Sequence, residues 1–185
     1  MYFHAVGRPF VRKKIRPLLP HLPEKDKILD IGSGNGLVAC LLREKGFDLS
    51  LIDIHEGQYD PSVKPLVYDG KKIPFPDDHF HTGMILTVLH HIEEPELALA
   101  EAARVCKRLI IMEDIYSGNF QKKLTFFLDR VANLFYSPCP HTNKTDTGWK
   151  ETFEKFGLKI TAVHYRRVLF FVQQGIYVLE KTSGK

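Results

Sequence analysis

The feature that most constrains the fold is a glycine-rich corner between a predicted strand and a predicted helix. Residues 27–31 form a short apolar run that favours a buried strand, residues 37–45 favour a helix, and Gly32, Gly34 and Gly36 lie between them. Glycine tolerates positive φ and admits a ligand where a Cβ would collide, and the free N–H groups of the following helix point toward the loop. The segment therefore predicts a nucleotide-binding corner.

The spacing of the glycines narrows the expected ligand. The dinucleotide fingerprint is G-x-G-x-x-G, whereas here the third glycine comes one residue early and Asp30 stands two residues before the first glycine. We therefore expect the loop to pass beside an adenosine with an amino-acid tail rather than to cradle a pyrophosphate. Asp53 ends the next apolar run, roughly 20 residues past the first glycine, where Rossmann-like folds place a carboxylate that accepts from ribose hydroxyls.

Three further segments extend the pattern along the chain. Asp69-Gly70 ends a short strand-like run, and residues 73–80 and 86–92 follow it in order. Together with the glycine loop and Asp53, these segments resemble the motifs of class I S-adenosylmethionine-dependent methyltransferases, in the type 11 (UbiE-like) domain family. The resemblance extends from Ile28 to about Ile111. It implies a methyltransferase with a Rossmann-like fold and S-adenosyl-L-methionine as its cofactor.

The resemblance also implies a set of cofactor-binding residues. Asp69 is expected to receive the adenine amino group, and Thr87 to contact the methionine part. His81 departs from the family, which usually has Asp there, but we expect that position to lie at the end of the sheet opposite the ligand. The full predicted set is Asp30, Gly32, Ser33, Gly34, Gly36, Asp53, Ile54, Asp69, Gly70 and Thr87.

Candidate catalytic residues follow the fourth and fifth predicted strands. Methyl transfer is an in-line displacement in which positioning supplies much of the acceleration, so a dedicated base is not obligatory. Where the nucleophile must lose a proton, the candidates are His90, His91 and Asp114, with Glu113 beside them. The two histidines are adjacent and must point differently, so each is as readily a packing or capping residue as a catalytic one. The histidine and cysteine spacings predict no metal site.

Strands and helices alternate along the chain, which predicts an α/β, Rossmann-like, doubly wound and mostly parallel sheet. Two β-rich runs near the end, residues 158–167 and 170–179, are too close for a crossover helix and predict an antiparallel hairpin. The resemblance implies seven strands in total. We expect a single domain over 1–185 with a basic helical segment at 1–26, a cofactor-binding core at 27–116, an acceptor lid at 117–148, and a C-terminal helix and hairpin at 149–181.

The predicted lid is the main candidate for acceptor specificity. Its first part has apolar residues at helical spacing, and its second part, from residue 137 onward, is a loop rich in breakers and polar residues. The apolar face could equally pack on the sheet. The leading acceptor is a small apolar or aromatic molecule.

Composition supports one enzyme-sized domain. The 185 residues are 44% hydrophobic and 26% charged, and the net charge of +4 is too small to indicate a nucleic-acid surface. The chain shows no apolar run as long as a membrane span, and no apolar core or cleavage site follows its N-terminal basic residues, so we expect no leader sequence. Its cysteines, Cys40, Cys106 and Cys139, are suited to reduced packing, the first two within predicted helices. We therefore expect a cytoplasmic protein.

Three functions stay open from the sequence. The first is a methyltransferase for small molecules. The second is a methyltransferase for protein or RNA, which would use the basic N-terminal helix. The third is a non-catalytic module that binds the cofactor. The glycine loop and its carboxylates disfavour the third, and the oligomeric state is not indicated.

Overall fold

The computed structural model describes residues 2–56, 63–116, 118, 142–168 and 172–182, and it contains a seven-stranded sheet with helices on both faces. The predicted fold class is confirmed. The helices are α1 (Tyr2–Ile15), α2 (Leu37–Arg43), α3 (Pro95–Val105) and α4 (Asp146–Lys155). The strands are β1 (Lys27–Ile31), β2 (Asp48–Asp53), β3 (Leu66–Val67), β4 (Phe80–Leu86), β5 (Cys106–Ile115), β6 (Leu158–Val168) and β7 (Val172–Lys181).

The strand order, β3-β2-β1-β4-β5-β7-β6, fixes where a ligand can bind. Strand β1 pairs in parallel with both β2 and β4. The sheet therefore extends from β1 in one direction through β2 and β3, and in the other direction through β4 and β5. Ligands of open α/β sheets bind at the carboxyl ends of the strands at such a switch point. The glycine loop follows β1 directly and therefore lies in this crevice.

The predicted hairpin is also confirmed. Strands β6 and β7 pair antiparallel, and β7 inserts beside β5, again antiparallel. Strands joined by a short connection can pair only antiparallel, which accounts for the β6–β7 hairpin. The sheet is therefore parallel from β3 to β5 and antiparallel beyond β5.

Two hydrophobic cores cover the two faces of the sheet. Residues alternate between the faces along each strand, so Ile28 packs with α1 and α2, whereas Leu29 packs with α3 and α4. The same alternation sends Asp30 and Asp114 toward the α1 face and Glu113 toward the α3 face. Three carboxylates of β1 and β5, the strands on either side of β4, are thereby divided between the two sides of the sheet.

Two predicted boundaries are wrong. Cys106 is not the end of a helix but the first residue of β5, where it pairs with Phe80 of β4. Helix α4 begins at Asp146, inside the predicted lid, because Thr145 caps it by accepting a hydrogen bond from Gly148 N at 3.1 Å. Residues 117 and 119–141 of that lid, with Cys139, lie outside the described residues. Within the described ranges, no helix is both long and apolar enough to cross a membrane.

Candidate cofactor and acceptor site

All three glycines of the glycine loop adopt a left-handed backbone conformation that favours glycine. Gly32, Gly34 and Gly36 have φ values of 73°, 55° and 71°. A Cβ on Gly32 would lie 2.7 Å from Val88 Cγ1, so this glycine is needed for packing against the segment after β4. A Cβ on Gly34 would meet nothing within 4 Å. Gly34 therefore borders open space at the carboxyl end of β1, where a ligand can approach the backbone.

Asp53 lies beside this loop at the end of β2. Its Oδ2 accepts a hydrogen bond from Gly34 N at 2.7 Å, and its Oδ1 accepts one from His55 N at 3.1 Å. The next residue, Ile54, is 53% exposed, and a Cβ on Gly70 would lie 3.1 Å from Ile54 Cγ2. The structure thus brings three predicted segments to the same corner of the sheet.

Asp69 occupies a turn next to this corner. The carboxylate is exposed, and its Oδ1 accepts from Lys71 N at 2.9 Å and Lys72 N at 3.1 Å. These two backbone hydrogen bonds hold the pKa of Asp69 below its ordinary value. Asp69 is therefore an ionised acceptor at the rim of the crevice.

Asp30 is a buried carboxylate with an unused oxygen. It is 3% exposed, and burial raises its pKa to about 7. The nearby charge of Asp53 also raises this pKa, whereas that of Lys14 lowers it. Among the described residues, Asp30 Oδ2 and Ser33 Oγ have no hydrogen-bond partner. A buried polar atom without a partner costs about 1–3 kcal/mol, so these oxygens mark places where ligand donors fit. S-adenosylmethionine carries such donors in its ammonium and ribose hydroxyls.

Thr87 follows β4 in a conformation that few residues adopt. Its φ is 63°, and its N–H donates to Met112 O at 2.6 Å. Its Oγ1 accepts a hydrogen bond from Lys14 Nζ at 2.8 Å. A non-glycine residue at positive φ is uncommon and is found disproportionately at functional sites.

Sequence reasoning missed Lys14, although a signal was present. Val11, Lys14, Ile15 and Leu18 fall on one face at helical spacing. Ile15 and Leu18 are buried in the core, and Val11 packs against it. A lysine on a core-facing side must direct its ammonium group to acceptors inside the protein.

The second polar cluster lies on the α3 face of the sheet. Glu113 is fully buried, and its Oε1 accepts from Val88 N at 2.9 Å and from Leu89 N at 2.7 Å. Its Oε2 lies 2.5 Å from His90 Nδ1. Because the carboxylate is an acceptor, Nδ1 of His90 carries the proton in this pair.

The two histidines have different surroundings. His90 is 2% exposed and bound to Glu113, whereas His91 is half-buried with its ring centroid 4.0 Å from that of His90. Asp114 is not brought to them. It points to the α1 face, where its Oδ1 accepts from Gln174 Nε2 at 2.7 Å. His81 lies at the amino end of the sheet, beside Lys27, as expected.

Comparison with known proteins finds a family that is similar to part of this chain. Residues 29–109 match a family model described as a methyltransferase domain. This part of the chain is similar to methyltransferase domains. The match covers the glycine loop, Asp53, Thr87 and His90, which are the segments on which the resemblance rested. The match agrees with the predicted family, enzyme class and cofactor, S-adenosylmethionine.

Individual relatives agree with this assignment. The chain is 35% identical over 100 residues to an uncharacterised protein of Methanocaldococcus jannaschii, covering 52% of this chain and 47% of that protein. It is 29% identical over 149 residues to the ubiquinone/menaquinone biosynthesis C-methyltransferase UbiE of Rickettsia akari, covering 69% of this chain and 58% of that protein. The chain thus spans about half the length of these relatives.

A solved structure shows the same fold. The S-adenosylmethionine-dependent methyltransferase of Archaeoglobus fulgidus superposes with a TM-score of 0.73 at 17% identity, and the alignment covers 94% of both chains. This chain and that protein therefore share the fold of the seven-stranded sheet and its helices.

Proposed function

We propose that the protein transfers a methyl group from S-adenosylmethionine to a small apolar or aromatic acceptor by in-line displacement. The observation that carries the proposal is the meeting of Gly34, Asp30, Asp53 and Thr87, from three strands, around open space at one end of the sheet. The curated relative from Rickettsia akari is named as a C-methyltransferase of quinone biosynthesis, which supports an aromatic acceptor.

Each residue of the proposed cofactor site has a role that its chemistry allows. Asp53 receives the ribose hydroxyls, and Ile54 with Asp69 borders the adenine. Asp30 and Thr87 receive the methionine part, since they offer acceptors at the ends of β1 and β4. The bound cofactor supplies an electrophilic methyl group, and the protein fixes the acceptor near it and in line with its departing sulfur.

We further propose that His90 removes a proton from the acceptor. Its Nδ1–H is held by Glu113 at 2.5 Å, so the other ring nitrogen, Nε2, is the basic one. Glu113 is then a positioning residue, because it fixes the tautomer of the imidazole while two backbone N–H groups fix the carboxylate. A phenol or an enol would need such a base before attack.

The first experiment tests the cofactor site by calorimetric titration. We expect the protein to bind S-adenosylmethionine and S-adenosylhomocysteine in preference to NAD. Asp53→Ala should weaken binding by about 1–3 kcal/mol, because a charge-assisted pair to the ribose is lost. Binding of NAD with no response to S-adenosylmethionine would contradict the proposal.

The second experiment tests the acceptor. Reduced demethylmenaquinone and a panel of simple phenols are incubated with the protein and methyl-labelled S-adenosylmethionine, and products are read by mass spectrometry. We expect label on one of these small molecules, with His90→Gln lowering kcat and Glu113→Gln shifting the pH profile of kcat. Label only on added protein or RNA would favour the alternative of a macromolecular acceptor.

One observation weighs against that alternative. Two basic residues of α1 are directed to other parts of the protein: Lys14 points into the site, and Arg8 donates to Glu44, the residue after α2, at 2.6 Å. The helix therefore presents less positive charge than its sequence indicates. A non-catalytic module would bind the cofactor and transfer no label in any assay.

A further inference from the structure

A cation from the N-terminal helix enters the cofactor crevice. Lys14 Nζ donates to Thr87 Oγ1 at 2.8 Å and to the Leu86 carbonyl at 3.2 Å, although 72 residues separate Lys14 from Leu86. These are the two acceptors of the ammonium group within the described part of the chain. Both belong to the carboxyl end of β4, beside the glycine loop.

The surroundings of this ammonium group are strongly acidic. Burial lowers the pKa of Lys14, while the nearby carboxylates of Asp30, Asp114 and Glu113 oppose that shift. Arg166 lies close enough to act in the same direction as burial, and its Nη1 donates to the Lys13 carbonyl at 2.9 Å, which ties β6 to the end of α1. The end of α1 that carries Lys14 is therefore bonded both to the end of β4 and to β6.

These carboxylates attract the positively charged groups of the cofactor and repel its negatively charged group. The ammonium and sulfonium of S-adenosylmethionine are favoured by carboxylates, but its α-carboxylate is repelled by them. A carboxylate entering the crevice needs a cation between itself and Asp30 and Asp114. Lys14 is placed to be that cation, and an added anion would offset the burial of its charge.

We propose that Lys14 binds the α-carboxylate of the cofactor, so that helix α1 completes the cofactor site. The inference rests on the proposed function, since it assumes that the methionine part lies at the ends of β1 and β4. It assigns a ligand-binding role to a segment outside the family match, which begins at residue 29.

The test compares ligands that differ only in the group concerned. Wild type, Lys14→Met and Lys13→Met, each with all 185 residues, are titrated calorimetrically with S-adenosylmethionine and with its decarboxylated form, which keeps the ammonium and the sulfonium. Lys13→Met is the matched control, because Lys13 is exposed on the same helix and its substitution makes the same change in net charge. Circular dichroism verifies the fold of each variant.

We expect Lys14→Met to weaken S-adenosylmethionine binding roughly ten- to one hundredfold, the value of a charge-assisted hydrogen bond. The same variant should bind the decarboxylated form within about threefold of wild type, and Lys13→Met should leave both ligands unchanged. Lys14→Arg, which keeps the charge, should retain the preference for the carboxylated ligand and supports the test if Lys14→Met does not fold.

Two outcomes would overturn the inference. Equal losses for both ligands in Lys14→Met would make Lys14 a packing residue. Tighter binding of both ligands would show that the lysine competes for the place of the cofactor's ammonium. Failure of the proposed cofactor site is separate, since wild type would then bind neither ligand.

Discussion

Two buried carboxylates on neighbouring parts of the sheet have opposite environments. Glu113, at the end of β5, accepts three hydrogen bonds, from Val88 N, Leu89 N and His90 Nδ1. Asp30, at the end of β1, has an oxygen with no partner among the described residues. Burial raises the pKa of Asp30 to about 7, whereas Glu113 lies within a complete network.

This difference indicates that Glu113 stabilises the fold, whereas Asp30 is available to a ligand. A fully satisfied carboxylate fixes the loop after β4 and with it the ring of His90, because every acceptor has a donor inside the protein. A carboxylate with an unused oxygen leaves a cost that a ligand donor can remove. The comparison predicts that Glu113 matters most for stability and Asp30 most for the cofactor.

The largest effect is expected at the glycine loop that borders Asp30. Gly34→Val should weaken cofactor binding at least about one hundredfold, because the side chain would occupy the open space that the ligand needs. Gly46→Val is the control: Gly46 also has positive φ, at 90°, and a Cβ at that position would likewise meet open space, but it lies in the turn after α2. Titration and circular dichroism on the same samples compare the two. Equal binding by both variants would mean that the ligand lies elsewhere.

Glu113→Ala should lower the free energy of unfolding by about 3 kcal/mol, because two buried backbone N–H groups and His90 lose their acceptor. Denaturant titration measures the change. Glu113→Gln should cost less, since its amide oxygen can still accept from the backbone. A loss below about 1 kcal/mol in the alanine variant would show that the network is dispensable.

Asp30→Asn should stabilise the free protein at pH 8 by about 2 kcal/mol and change little at pH 5. The pKa of Asp30 is raised on folding, so between its ordinary value and about 7 the folded state binds more protons than the unfolded state. Stability of the wild type therefore falls as pH rises through this window. Unfolding curves at several pH values test the slope, which should be smaller in the variant.

The smallest effect is expected at an ion pair of α4, outside the surroundings of Glu113 and Asp30. Lys150 pairs with Asp146 one helical turn away at 2.7 Å, with side chains 38% and 31% exposed. Lys150→Met should change the free energy of unfolding by about 0.5 kcal/mol and leave cofactor binding unaltered, because exposed pairs are weak. Thermal denaturation and titration measure both, and a loss comparable to that of Glu113→Ala would mean that burial does not rank these carboxylates.

The sequence predicts those parts of the site that depend on residues close together in the chain. The glycine loop, Asp53 and Thr87 follow strands, and the end of a strand is readable from the apolar run before it. The fold class followed from the same alternation of strands and helices. The antiparallel hairpin followed from the short connection between its strands.

The contacts of Lys14 and the partners of Glu113 could not be predicted in this way. Their contacts join segments that are far apart in the chain, such as Lys14 and Thr87, and depend on how α1 crosses the carboxyl end of β4. The boundary at Cys106 was wrong because pairing with β4 overrides the local helical pattern. The acceptor lid over residues 117–148 and the catalytic roles of His90, His91 and Asp114 stay predictions.

The central claim is that the unused oxygen of Asp30 accepts a hydrogen bond from the cofactor. Calorimetric titration of wild type and Asp30→Asn with S-adenosylmethionine at pH 6 and pH 8 tests it most directly. We expect the affinity of the wild type to rise about tenfold relative to the variant between these pH values, as Asp30 loses its proton near pH 7. The same affinity and the same pH dependence in both proteins would contradict the claim.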